Sequence, residues 1–162
     1  MKKKEIIKLG QIVTDKFTET TGMLMCFNID TIGNELYLFQ PKQISPKTLA
    51  PVGVFWLTAD RLGEVLKEKV ELPTEILGTI VVDEATSFKG SVIDITYHLN
   101  GCVHVNIKAA GIIPETGSTI DTYEVDYRRL SGEFVNKMTE AEVTKSKKEK
   151  PSPVFTPSKS IR

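Results

Sequence analysis

One stretch of this chain occurs twice. Leu9-Gly10-Gln11-Ile12-Val13-Thr14-Asp15-Lys16-Phe17-Thr18-Glu19-Thr20-Thr21-Gly22 returns as Leu77-Gly78-Thr79-Ile80-Val81-Val82-Asp83-Glu84-Ala85-Thr86-Ser87-Phe88-Lys89-Gly90. From Gly10 to Gly78 the offset is 68 positions, and it runs without a gap through Gly33 and Gly101, Pro46 and Pro114, Arg61 and Arg129, and Leu62 and Leu130. What the first half forms, the second half is expected to form again. For a chain of 162 residues this favours two small units over one domain. Units of about 65 residues have thin cores, so the two are expected to pack together or to share a partner.

Within each copy, short alternating runs separated by turn residues read as strands. In the first copy these are Gly10 to Thr14, Met23 to Asp30, Glu35 to Gln40 and Val54 to Leu57. Thr58 is placed to cap one helical turn, Ala59 to Leu62, and Glu64 to Leu72 reads equally as a strand or a short helix. In the second copy Ser91 to Leu99 and Cys102 to Lys108 are the arms of a hairpin. Asn100-Gly101 is its two-residue type I′ turn, in which both central residues need φ > 0. Thr122 to Val125, the turn Asp126 to Leu130 and a strand Gly132 to Val135 close the unit. Five short strands with a helical turn before the last describe an SH3-like small barrel, which removes exposed edges by near closure. The expected fold class is therefore all-β: two tandem SH3-like small barrels related by internal duplication, over residues 1–72 and 73–137. Residues 138–162 follow as a basic Pro/Ser/Lys-rich tail with too little apolar area to fold alone.

The formal net charge is zero but unevenly spread. Lys8 to Glu140 carries 12 Lys/Arg against 18 Asp/Glu, while the tail from Ala141 carries 6 against 2. An acidic body argues against broad phosphate-backbone binding by the barrels. It leaves Lys145, Lys147, Lys148 and Phe155 of the tail as anchors for a partner. Met1 to Lys8 is a basic lead without the apolar stretch of a secretion signal, and no apolar run approaches the ~20 residues that cross a bilayer. Cys26 and Cys102 occupy non-equivalent repeat positions, so no disulfide framework is implied.

The repeat resembles small, mostly uncharacterised proteins of tailed bacteriophages, which share a Leu-Gly-x-x-Val-x-Asp-x-x-Thr-Gly opening, a Gly-Cys hairpin and a Trp-Phe-Asp-Glu-x-x-Leu close. The opening is similar to Leu9–Gly22 and Leu77–Gly90, the hairpin to Asn100-Gly101-Cys102-Val103, and the close to Trp56–Leu62 and Glu124–Leu130. Copy one has Asn34 where the hairpin Cys would stand, and copy two has Glu124 in place of the Trp. The resemblance implies a phage origin and a barrel fold, in the virion or the host cytoplasm. It implies no activity.

Candidate chemistry is sparse. His98, Cys102 and His104 lie within seven residues. With Asn100-Gly101 as the turn, however, His98 points to the face opposite Cys102 and His104, so three metal ligands do not converge. Cys102 and His104 on one face stand about 7 Å apart, too far for direct thiol activation. Asp15 and Asp83, each in a turn with a following Thr and Gly, read as loop staples, and Asp30 and Glu35 as like charges facing each other across the first hairpin. No phosphate-binding glycine loop is present. What remains is recognition-like: Trp56, Arg61, Tyr123, Tyr127, Arg128 and Arg129 cluster around the fourth strand of each copy and the turn after it. Aromatic and Arg residues are common binding anchors, though Trp56 and Tyr123 would serve equally as packing. The expectation is a non-enzymatic module without a cofactor or metal that binds a virion or host protein, as a monomer or a homo-oligomer. The alternatives are a small-molecule or nucleotide sponge, which would turn Arg61, Arg128 or Arg129 into a shared pocket, and a nucleic-acid binder acting through the tail.

Overall fold

The computed structural model describes residues 1–131. The expected strand Gly132 to Val135 and the tail anchors Lys145, Lys147, Lys148 and Phe155 lie outside the described residues.

Eleven strands form two sheets among the described residues. They are β1 (Lys2–Ile7), β2 (Ile12–Asp15), β3 (Thr20–Asp30), β4 (Glu35–Pro41), β5 (Phe55–Leu57), β6 (Lys67–Leu72), β7 (Ile80–Asp83), β8 (Lys89–His98), β9 (Val103–Lys108), β10 (Tyr123–Asp126) and β11 (Leu130–Ser131). Single 3₁₀ turns cover Ala59–Arg61, Thr74–Ile76 and Tyr127–Arg129. β1 pairs with β6 in a separate two-stranded sheet. The large sheet runs β10-β9-β8-β3-β4-β5, with β2 on β3 and β7 joining β8 to β11, all antiparallel. No described helix is long and apolar enough to cross a membrane.

The pairings β2–β3, β3–β4 and β4–β5 of the first half recur at the same offset as β7–β8, β8–β9 and β9–β10. Phe27 opposite Tyr37 matches Ile95 opposite Val105, and Leu38 opposite Trp56 matches Asn106 opposite Glu124. Even the irregularity between Leu24 and Cys26 recurs between Val92 and Asp94. The junction of the halves is β3 against β8, where Asn28 lies opposite Thr96, its own counterpart. The junction therefore maps onto itself when the halves are exchanged.

The expected near-closed barrels are instead open antiparallel sheets. β3 is long and irregular at Leu24/Cys26: its first part pairs with β2, and the part beyond pairs with β8 of the other half. That part of β3 is thus committed to the junction, and β5 and β10 remain as edges. Alternation along the strands sends Phe27, Tyr37, Phe39, Leu57, Ile95, Val105, Ile107 and Val125 to the inner side, where residues of both halves form one contiguous core.

Two local expectations change. The basic lead is β1: Ile6 and Ile7 are buried, and the Ile7 amide donates to the hydroxyl of buried Tyr37 (3.0 Å). Its partner β6 settles Glu64 to Leu72 in favour of a strand. The first hairpin does not oppose Asp30 to Glu35. The Asp30 carboxylate accepts from the amides of Ile32 and Asn34 and from the Asn34 side chain, while Glu35 lies opposite Ile29 and ion-pairs with Lys4.

Candidate functional site

The turn of the second hairpin decides what the outer face of the sheet carries. Tyr97 pairs with Val103, the His98 amide donates to the Cys102 carbonyl (2.9 Å), and the Gly101 amide donates to the His98 carbonyl (2.8 Å). The loop is therefore three residues, Leu99 to Gly101, and only Gly101 takes positive φ (84°). This differs from the expected two-residue turn by one residue, and a one-residue slip exchanges the faces. His98, Cys102 and His104 thus share the outer face, contrary to the expectation that His98 points away from the other two. Among the described residues they still form no cluster of metal-binding geometry.

β3 brings a second cysteine to this face. Cys26 lies opposite His98, with its Sγ 3.2 Å from His98 Nδ1. The His98 and His104 rings are 4.4 Å apart between centroids, and His104 Nδ1 lies 2.8 Å from Glu124 Oε1. Burial, and less strongly the Glu124 carboxylate, pushes the Cys26 thiol up. Burial and the neighbouring His104 hold His98 below the ordinary histidine value. The pair is consequently a neutral thiol beside a neutral imidazole, not a thiolate–imidazolium couple. A thiol proton given to Nδ1 leaves the other nitrogen, Nε2, as an N–H donor. That Nε2 is buried and has no hydrogen-bond partner.

Around this cluster the outer face is hollowed into a groove of about 450 Å³. Leu36 and Leu38 of β4, Trp56 of β5 and Cys26 form one end. Asp94, Thr96 and His98 of β8, Asn106 of β9 and Glu124 of β10 form the other, with Asn28 between. Asn28 donates to Asp94 Oδ1 (3.0 Å) and Thr96 Oγ1 (2.9 Å), and Asn106 donates to the same Asp94 oxygen (2.9 Å). These bonds fix the groove floor across the junction.

Of the residues singled out in the sequence, Trp56 lies in this groove and is 43% exposed. The other five lie elsewhere. Arg61 grips Asp15 with two bonds (Nε 3.1 Å, Nη2 2.6 Å) and stands over the Phe17 ring. Arg129 grips Asp83 in the same way (3.0 and 2.6 Å) and touches the Tyr123 hydroxyl (3.3 Å). Tyr123 packs on Phe88. Arg128 forks Asp126 and holds its carboxyl well below the usual range; with Tyr127 and Cys102 it lines a separate hollow of about 290 Å³. The expected loop staples take this concrete form. Asp15 and Asp83 have no solvent exposure, and Thr18 and Thr86 donate to them at 2.6 Å. Arg61, Thr18 and the Phe17 amide together bring Asp15 down to about 2, against the opposing effect of burial.

The groove itself was not expected, because its parts come from both halves. The usable signal was the offset read at outward strand positions. Leu36 stands against His104, Leu38 against Asn106, Cys26 against Asp94 and Trp56 against Glu124. Inward positions keep their apolar character, whereas these do not. Comparison with known proteins gives no match to a family model, to a curated protein or to a solved structure.

Proposed function

We propose that this protein is a non-enzymatic binding module that takes a segment of another protein in the outer-face groove. The observation that carries this is the split between the two faces. The halves agree on the inner face, on the Asp–Arg staples and on the registers of the large sheet, and they differ where strands point into the groove. Packing accounts for the shared positions, whereas Trp56 stands half-exposed at one end of the groove. The neutral Cys26–His98 pair supports binding over nucleophilic chemistry, which needs a thiolate and an oriented base. The sponge reading asked for an arginine turned into a shared pocket, but Arg61, Arg128 and Arg129 are each engaged by a carboxylate.

The finer fold reading belongs here too. The order β11-β7-β8-β9-β10 with a 3₁₀ turn before β11 supports an SH3-like unit, and the recurring register supports an internal duplication joined edge to edge. A phage setting rests on the motif resemblance.

The test is selection from a random peptide library on the wild-type chain and on a Trp56→Ser, Leu38→Ser variant checked for native unfolding. A convergent motif retained by the wild type and lost by the variant is expected. No convergent motif, or one the variant keeps, would overturn the proposal.

A further inference from the structure

The groove has two unlike ends, and their chemistry points to a class of ligand. This step rests on the binding function proposed above and adds to it the ligand's charge, length and orientation.

The groove crosses six strands, from Trp56 on β5 to Glu124 on β10. At about 4.8 Å per strand this is about 24 Å, the length of about seven extended residues. An extended segment of a protein spans that length, with the side chains at its two ends seated in the hollow of about 450 Å³. The β4–β5 end offers Leu36, Leu38 and the Trp56 ring. The β8–β10 end offers the carboxylates of Asp94 and Glu124, and no Lys or Arg lines the groove. The two asparagines that hold Asp94 are neutral and leave its charge in place. Glu124 is held on one oxygen by His104.

We infer that the groove binds an extended protein segment carrying an aromatic or aliphatic residue over Trp56 and Leu38, and a Lys or Arg about five residues away beside Asp94 and Glu124. Orientation follows from the asymmetry: the same positions are apolar in one half and acidic or polar in the other. A ligand with like ends would leave one end of the groove unmatched, because burying a charge against Leu or an alkyl group against carboxylates is unfavourable.

Trp56 is the chain's single tryptophan, so its fluorescence reports on the groove directly. The probes are an octapeptide with Phe-Leu at one end and Lys-Arg at the other across a Gly/Ser spacer, and a counterpart with Glu-Glu replacing Lys-Arg. The cationic peptide is expected to change Trp56 emission saturably, with the acidic one at least about tenfold weaker. Binding should fall about tenfold in a Glu124→Gln, Asp94→Asn variant and weaken with added salt. Equal or tighter binding of the acidic peptide, or no saturable change with either up to about 1 mM, overturns the inference. The library selection separates the two claims: a convergent motif without a cation leaves the binding function standing and removes only this step.

Discussion

Replacing Arg61 by Ala tests whether the repeated Asp–Arg pairs hold the fold. Asp15 has no exposure and accepts four hydrogen bonds: from the Phe17 amide, from the Thr18 hydroxyl and two from Arg61. Arg61→Ala removes the two charged bonds and leaves a buried carboxylate. Breaking a buried pair from one side costs about 3–5 kcal/mol. Arg61 retains a third of its exposure, so water moderates the loss, and about 3 kcal/mol at pH 7 is expected. For a chain of this size that is roughly 6–12 °C in the thermal midpoint. The pH dependence gives a second check. In the native protein Asp15 lies at about 2, below its ordinary 3.8, so its contribution is complete above 3.8 and is lost as pH falls through about 2. In the variant burial acts with less opposition and the carboxyl moves up. The penalty then exists above that raised value and is relieved as pH falls through it. Urea unfolding at pH 7 and pH 3 should therefore show the gap between the two proteins narrowing at the lower pH. A loss under about 1 kcal/mol, or an equal gap at both pH values, would refute the reasoning. Arg129→Ala should behave alike, because Asp83 is equally buried and equally held.

Other outcomes follow from single contacts. A Cβ on Gly22 would meet the Gln40 carbonyl oxygen at 2.3 Å, and one on Gly90 the Lys108 carbonyl oxygen at 2.6 Å. Gly22→Ala and Gly90→Ala should therefore each destabilise by about 2–3 kcal/mol in denaturant titrations. A thiol reagent should modify Cys102 quickly in the native protein and Cys26 only after unfolding, since Cys26 is buried and its thiol is pushed up. Trp56→Ala should cost about 1 kcal/mol, well short of the 3–5 kcal/mol of a core tryptophan, because Trp56 is nearly half exposed.

Much of the fold was legible because its signals are local. The alternation of Met23 to Asp30 and the Asp-x-x-Thr turns each lie within one segment, and the 68-residue offset is a comparison of two such segments. β1 was not legible: Lys2 to Lys4 mask a strand whose burial begins only at Ile6. The second hairpin departs from its sequence signal by one residue, since Asn100-Gly101 suits a two-residue turn and the chain closes a three-residue loop. That single residue moved His98 to the face of Cys102 and His104. The groove depends on the β3–β8 junction, which pairs Cys26 with His98, 72 positions away, and no periodicity encodes such a pairing. Arg61 and Arg129 resembled binding anchors in the sequence because arginine serves both recognition and buried pairing. The structure finds each of them paired with a buried carboxylate.

The most direct measurement is to map a library-selected peptide onto the protein by NMR chemical shifts. Binding in the groove predicts shifts concentrated at Trp56, Leu38, Cys26, His98, Asn106 and Glu124. Shifts concentrated instead at the exposed apolar loop residues Ile44, Leu49, Ile112 and Ile113 would contradict the account and move the interaction surface to the loops.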